Sequence, residues 1–280
     1  MSSADTRKRG ARTALATRMP DPMPGFVPPC LATLAGAPPP DAGWVHEIKF
    51  DGYRLQAHIA DGAVRLLTRT GLDWTGRFPA LAKALKGLKV KRAILDGEAV
   101  VEDTNGTTSF VKLLEALEAG RSEAMVFMAF DLLYLDGVDL TRARLLERKE
   151  LLEALLKRTR TKRLRYSAHL ESDGADVLRE ACRLGLEGVI SKRADRPYRS
   201  GRTGDWIKSK CIQTDEFVIG GYLTSSVDAK AVGALALGAY DKGRLVYVGR
   251  VGTGFTHEVA RAVWRKLQPL KVPTLSLIHI

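Results

Sequence analysis

The sequence predicts an α+β fold in two parts, and three observations point to it. Short period-2 apolar runs, broken by Gly- and Asp-containing turns, fill much of the region between 44 and 135. Amphipathic segments with 3.6-residue spacing are interleaved with them, and after Cys211 the texture shifts to Gly-rich β.

Residues 1–25 mix Arg7, Lys8, Arg9 and Arg12 with Pro20, Pro22 and Pro24 and carry no apolar period, so they are expected to form a flexible basic tail or linker. Residues 44–50, 54–60 and 63–70 read as strands of a β-meander. The last two are joined by Asp61-Gly62, whose tolerance of left-handed backbone suits a two-residue hairpin. Helical spacing follows at 77–88, a buried strand at 93–101, a helix at 110–117 and an apolar, aromatic central strand at 125–135. Apolar residues at 145, 146, 151, 152, 155 and 156, with charges between them, predict an amphipathic helix. Strands at 163–170 and 188–193 flank a helix at 175–184. Beyond Cys211 come strands at 217–223, 232–240 and 245–251, with a turn at Asp241-Lys242-Gly243. A helix at 256–267 follows, with Thr256 as N-cap and Glu258 in its first turn.

The change of texture sets a domain boundary near 212–216. The final residues, Leu275-Ser276-Leu277-Ile278-His279-Ile280, match the in-frame translation of a sequencing-adapter end and are set aside, so the second domain is expected to be incomplete.

Composition bounds the function. In a chain of 280 residues, 45% apolar and 27% charged content is ordinary for a soluble globular protein. No apolar run approaches the ~20 residues of a membrane span, and the basic start lacks the apolar stretch of a secretory signal, which makes the cytoplasm the expected location. Cys30, Cys182 and Cys211 lie far apart, with no C-x-x-C pair and no Cys/His cluster, so neither a disulfide framework nor a zinc site is expected. The net charge of +12 biases the surface toward polyanions.

The chemistry-bearing constellation opens at Glu47-Ile48-Lys49-Phe50-Asp51-Gly52-Tyr53-Arg54. A lysine at a strand end, before a carboxylate and a glycine turn, is a candidate nucleophile, because an amine held among cations loses its proton more easily. Downstream, in order, come Thr68-Arg69-Thr70-Gly71, Leu95-Asp96-Gly97-Glu98, Phe130-Asp131-Leu132-Leu133-Tyr134, Glu187-Gly188-Val189-Ile190-Ser191-Lys192 and Trp206-Ile207-Lys208-Ser209-Lys210. Each alone reads as solvated charge or core. Together and in this order they do not.

From about 26 to 267 the sequence resembles the covalent nucleotidyltransferase superfamily, and within it the ATP-dependent DNA ligases. The strings 44–54, 130–137, 145–149 and 186–211 look most like the ligase module of bacterial DNA ligase D, the end-joining ligase. The resemblance implies an α+β nucleotidyltransferase (adenylation) domain over 26–213, built of ATP-grasp-like antiparallel sheets with helices. An OB-fold β-barrel, incomplete here, would follow over 214–274. It further implies Lys49 as the lysyl-AMP nucleophile and Glu47 beside the adenine. Arg54 and Arg69 would act on ribose and phosphate, Glu98 and Glu187 on ribose and metal. Phe130 would stack on adenine, and Lys192, Lys208 and Lys210 would bind phosphates. ATP and magnesium or manganese are the implied cofactors. Nicked or broken double-stranded DNA is the implied substrate, with a Ku-type end-binding protein and polymerase or phosphoesterase modules as partners. The enzyme would be a bacterial, nucleoid-associated monomer. No residue is assigned to the family's C-terminal basic motif.

The residue types suit that chemistry. Nucleotidyl transfer depends on in-line positioning and charge neutralisation, which calls for cations and a divalent metal more than acid–base groups. Lys208 and Lys210, two apart on a strand, share a face and can address one triphosphate. Two glutamates without a His or Cys partner suit a hard, oxygen-preferring ion. The expected cycle charges Lys49 with AMP, passes AMP to a DNA 5′-phosphate and seals the strand with a 3′-hydroxyl. An RNA ligase or capping-type nucleotidyltransferase shares the lysine motif, but the 145–149 and 206–211 strings favour a DNA ligase. An NAD-dependent ligase would bring a four-cysteine zinc module. A non-catalytic nucleic-acid-binding fragment would retain DNA without a covalent adduct.

Overall fold

A computed structural model describes residues 21–211, 216–252 and 254–272. The expected tail over 1–20, the expected domain boundary at 212–215 and the terminal hexapeptide at 275–280 lie outside them. The chain divides into two compact units, 1–211 and 212–280.

In the first unit the strands are β1 (Thr33–Leu34), β2 (Trp44–Ile48), β3 (Tyr53–Ala60), β4 (Ala63–Thr68), β5 (Arg92–Val101), β6 (Met125–Leu135), β7 (Val138–Asp139), β8 (Leu164–Tyr166), β9 (Gly188–Arg193) and β10 (Trp206–Lys210). The helices are α1 (Pro79–Lys86), α2 (Phe110–Glu118), α3 (Leu145–Leu156) and α4 (Gly174–Arg183). Strands β4-β3-β5-β6-β7 form one sheet, with β8 added parallel to β6 as its sixth strand, and β1-β10-β9-β2 form a four-stranded sheet.

The hairpin at Asp61-Gly62 forms as expected, with both residues left-handed (φ 49° and 85°). The meander does not. β2 pairs antiparallel with β9, about 140 residues on, and not with β3. The reason is the turn after Lys49: Gly52 sits so close to β5 that a Cβ there would lie 2.2 Å from the Ala99 carbonyl oxygen. The chain crosses at this point from one sheet to the other. Two further expectations change in extent. The strand expected over 163–170 shrinks to three residues, and the helix expected from 77 begins at Pro79, behind a 3-10 turn at Thr75–Arg77, because proline suits a first helical turn. Residues 21–25, expected in the flexible tail, are docked: the Tyr134 hydroxyl donates to the Asp21 carbonyl at 2.7 Å, and Met23 packs against the inter-sheet cluster.

Alternation gives the six-stranded sheet two different faces. On one, Leu55, Ala57, Ala93, Leu95, Phe127 and Ala129 pack against Leu81 and Leu85 of α1, Leu113 of α2 and Leu152 and Leu155 of α3. On the other, Ile94, Phe130, Leu133 and Tyr134 meet Tyr198 and Trp206 from the four-stranded sheet and its approach. The helical layer thus covers one face, and the second face looks at the other sheet.

The second unit holds β11 (Val218–Thr224), β12 (Val232–Asp241) and β13 (Arg244–Val251) in an antiparallel sheet, then α5 (His257–Leu267). The Thr256 hydroxyl accepts from the Val259 N–H, the expected N-cap. Three strands and a helix match the reading of the sequence, and no barrel closes among the described residues. No described helix is long and apolar enough to cross a membrane.

Candidate active site

The register of the four-stranded sheet collects the predicted residues. Glu47 lies opposite Ile190, which lies opposite Lys208; Lys192 lies opposite Trp206; Gly188 lies opposite Lys210. Directly opposed residues share a face, so Glu47, Lys192, Trp206, Lys208 and Lys210 all point the same way. Across from them, the six-stranded sheet presents Arg54, Asp96, Glu98 and Phe130. Between the two sheets lies a cavity of about 120 Å³ whose lining includes Glu47, Lys49, Arg54, Glu98, Phe130, Lys192 and Trp206.

Lys49 sits at the mouth, held by its backbone N–H to the Gly188 carbonyl at 2.9 Å. Its ammonium pairs with Glu187, whose other oxygen is 3.0 Å from Lys210 Nζ. Glycine at 188 (φ 146°) is required, since a Cβ there would meet the Ser209 carbonyl oxygen at 2.2 Å. Burial and the charges of Lys210 and Lys49 hold Lys208 below the usual lysine range, which places three cations around one point. Asp51 is a structural tie: its carboxylate accepts from the Phe110 N–H at 3.1 Å, fastening the Lys49 loop to the start of α2.

The inner end of the cavity is built differently. Glu47 is buried and binds Lys149 Nζ and Lys192 Nζ, each at 2.8 Å, and the Ser167 hydroxyl at 2.7 Å. Burial would raise its carboxyl, but Lys192 and Lys149 outweigh burial and hold it below the usual range. Lys192 is pushed down by burial; its ammonium has no hydrogen bond of good geometry and lies 4.5 Å from the Phe130 ring and 4.2 Å from the Trp206 ring. Arg54 forms a fork with buried Asp96 (3.0 and 2.7 Å) and donates to the Cys30 carbonyl at 2.7 Å, while the Tyr198 hydroxyl also donates to Asp96 at 2.7 Å. Glu98 is pushed up to about 8 by burial, against the pull of Arg54 and Lys49 and with the push of Asp96 and Glu187.

Six of the ten predicted residues, Glu47, Lys49, Arg54, Glu98, Phe130 and Lys192, line the cavity, and Glu187, Lys208 and Lys210 gather beside Lys49 at its edge. Arg69 does neither: it is exposed in the turn after β4 and does not line the cavity. Lys192, expected with the phosphate-binding lysines, lies instead with Glu47, Phe130 and Trp206. Sequence reasoning assigned no role to Asp96, Lys149, Tyr198 or Trp206. Two of them carried a signal: Asp96 is two residues from Glu98 and Trp206 two from Lys208, so period-2 alternation already put them on the site face.

The cysteine expectation is also corrected. Cys182 and Cys211 are disulfide-bonded, with a Cα–Cα distance of 5.2 Å. Sequence spacing held no hint of this, because the pairing arises where the end of α4 meets the end of β10. The Cys211 N–H donates to the Glu187 carbonyl at 3.0 Å, so the bond adjoins the Lys49 pair.

Residues 38–210 match the family model of the ATP-dependent DNA ligase domain, and residues 228–278 that of the ATP-dependent DNA ligase C-terminal region. The chain belongs to the ATP-dependent DNA ligases. It is 48% identical over 262 residues to the multifunctional non-homologous end joining protein LigD of Pseudomonas aeruginosa, covering 92% of this chain and 31% of that protein. To the LigD of Mycobacterium tuberculosis it is 40% identical over 229 residues, covering 81% of this chain and 29% of that protein. The chain thus spans about a third of these relatives. A solved mycobacterial DNA ligase D complexed with ATP and MES superposes with a TM-score of 0.60 at 38% identity, covering 89% of this chain and 80% of that one. The region that holds the two-sheet site lies within the part of the chain that matches the ATP-dependent DNA ligase domain and is similar to the ligase region of LigD.

Proposed function

We propose that this ligase region charges Lys49 with AMP from ATP and transfers the AMP to a DNA 5′-phosphate. The observation that carries the reading is the pairing of Lys49 with Glu187, beside Lys208 and Lys210, at the mouth of a cavity lined by Phe130 and Trp206. At about 120 Å³ the cavity is smaller than the ~300–1,000 Å³ that takes a whole drug-sized ligand, which fits a base inside and phosphates outside. Phe130 and Trp206 offer apolar faces to the base, and Glu47 and Lys192 offer an acceptor and a donor at its edge. Lys49, Lys208 and Lys210 lie where the triphosphate would emerge.

For transfer, the Lys49 ammonium leaves Glu187 and gives up a proton to solvent water at the cavity mouth. Its Nζ forms a bond to the α-phosphorus while the α-phosphorus–oxygen bond to pyrophosphate breaks, and Lys208 and Lys210 neutralise charge on the phosphate oxygens. A 5′-phosphate oxygen then displaces Lys49 from AMP, and a 3′-hydroxyl displaces AMP as the strand closes.

Glu98 and Glu187 would hold a divalent ion. Glu98 is raised chiefly by burial, with the charges of Asp96 and Glu187 adding to it, and a bound cation would favour its ionised form. Two carboxylates are hard oxygen donors of the kind magnesium takes, an ion that keeps waters and substrate phosphates among its ligands. When bound, such an ion supplies neutralisation of phosphate charge. Broken duplex DNA and end-joining repair in a bacterial cell are part of the same reading, supported by the end-joining role named for the LigD relatives, and a Ku-type partner is proposed with them from the family resemblance alone.

The test is intact mass after incubation with ATP and magnesium, beside GTP, NAD and Lys49→Ala. The expected result is an AMP-sized gain with ATP alone, absent from the variant. A gain that persists in Lys49→Ala, or one from GTP in place of ATP, overturns the reading.

A further inference from the structure

We propose that the surface formed by the α1–β5 and α3–β8 turns is a second DNA-backbone interface, which holds a duplex other than the one at Lys49. The inference rests on the DNA ligase reading and adds a second nucleic-acid contact to it.

Two turns that are far apart in sequence, 87–91 and 157–163, are both dense in Lys and Arg. The fold brings them together: two concavities of about 500 and 610 Å³ share Gly87, Thr159 and Arg160. Their lining carries Lys83, Lys89, Arg158, Arg160 and Arg163 against a single carboxylate, Glu123, whose backbone carbonyl already accepts from Arg163. Lys83, Lys89, Arg158 and Arg160 are exposed, and among the described residues none has a carboxylate within 4.0 Å. Elsewhere on the surface some exposed arginines are paired, as Arg65 is with Asp73 and Arg183 with Glu180, and others such as Arg142 and Arg244 have no ion pair among the described residues but do not line these two concavities. Complementing a helix C-terminus accounts for Lys83 and Lys86 in the last turn of α1 and for Lys157, which is in any case paired with Glu153. It does not account for Lys89, Arg158 and Arg160, which lie beyond the helix ends. Clustered cations left unneutralised repel one another, and a polyanion relieves that repulsion. Arginine forks match phosphate oxygens in particular.

The location decides which duplex is held. Arg54, Glu98 and Phe130 line the cavity from one face of the six-stranded sheet, whereas Leu81 and Leu85 of α1 and Leu155 of α3 pack on the other. The sheet and its helical layer therefore separate the basic surface from Lys49. DNA is stiff over ~150 bp, so a short duplex seated at Lys49 does not bend round to this side. The duplex held here is a second one.

The experiment uses the full chain and a nicked 20-bp duplex at low salt, with mass photometry to count duplexes per chain. Its variant is Lys83→Glu/Lys89→Glu/Arg158→Glu/Arg160→Glu, and the same four positions changed to Gln serve if charge reversal impairs folding. Wild type is expected to bind two duplexes and the variant one, with the second affinity down roughly 100-fold. The log–log salt slope of that second site is built from about 0.9 per phosphate contact, or up to about 3.6 for four. Single-nick sealing and the lysyl-AMP adduct should be unchanged, and Arg158→Lys/Arg160→Lys should keep both duplexes. A wild type that binds one duplex, a variant that keeps two, or a variant that loses nick sealing in step with binding overturns the proposal. Failure of the underlying ligase reading would show separately, as no lysyl-AMP in the wild type.

Discussion

At the residue scale, the site is a set of charges whose burial decides their behaviour. Glu98 titrates in the folded chain at about 8, above its ordinary 4.5, so the native state holds this proton more tightly than the unfolded chain does. Its contribution to stability is complete below about pH 4.5 and is lost as pH rises through about 8. Replacing Glu98 with Gln should flatten that decline, which urea midpoints measured between pH 5 and 8 will report; an unchanged slope would exclude Glu98 as its source. The same titration predicts tighter magnesium binding at pH 8.5 than at pH 6.5, with proton release visible in calorimetry run in two buffers. Deeper in the unit, Arg148 forms a fork with Asp131 at 2.7 and 2.8 Å, both fully buried. Arg148→Ala strands the carboxylate and should cost about 3–5 kcal/mol in denaturant unfolding. A double change to well-packed apolar residues should cost much less than that single truncation.

At the scale of elements, what was legible followed from periodicity. The Asp61-Gly62 hairpin, the helix over 145–156 and the strand over 125–135 appear where spacing and turn residues put them. What was not legible is which surface each element meets. The α3 pattern left its charges for solvent, yet Arg148 and Lys149 are buried because partners from β6 and β2, Asp131 and Glu47, wait on the far side of the interface. The Cys182–Cys211 bond is of the same kind, a contact between α4 and the residue after β10 at a sequence separation of 29. Closing a loop of that length should stabilise the first unit by about 3.6 kcal/mol. A reductant, or Cys182→Ser, should therefore lower the melting temperature of the oxidised chain by several degrees. A melting curve insensitive to both would mean that the bond contributes nothing to stability.

At the scale of the whole molecule, the charge of +12 is unevenly used. Some cations converge at Lys49, many are paired on the surface, and a third group sits unpaired behind the six-stranded sheet. DNA retention by the full chain should accordingly fall by several orders of magnitude between 50 and 200 mM salt, as anisotropy titrations will measure. The proposed lysyl-AMP formation binds one small nucleotide through partly buried groups in place of a long polyanion and should fall much less over the same range. Equal sensitivity of the two would place the charging step on the exposed surface.

The sequence by itself determined the family and singled out Lys49 as the candidate nucleophile together with most of the residues the fold collects around it, because the family's strings at strand ends are written in one dimension. It also determined element types, since a period of 2 or 3.6 is written locally. Only the tertiary structure decided that β2 leaves β3 for β9, that Lys192 stands among aromatic rings beside Glu47, that Arg69 stays outside, and that two cysteines meet. Each is a pairing between segments far apart in the chain, settled by packing and by the free energy of burying charge, and no local pattern encodes it.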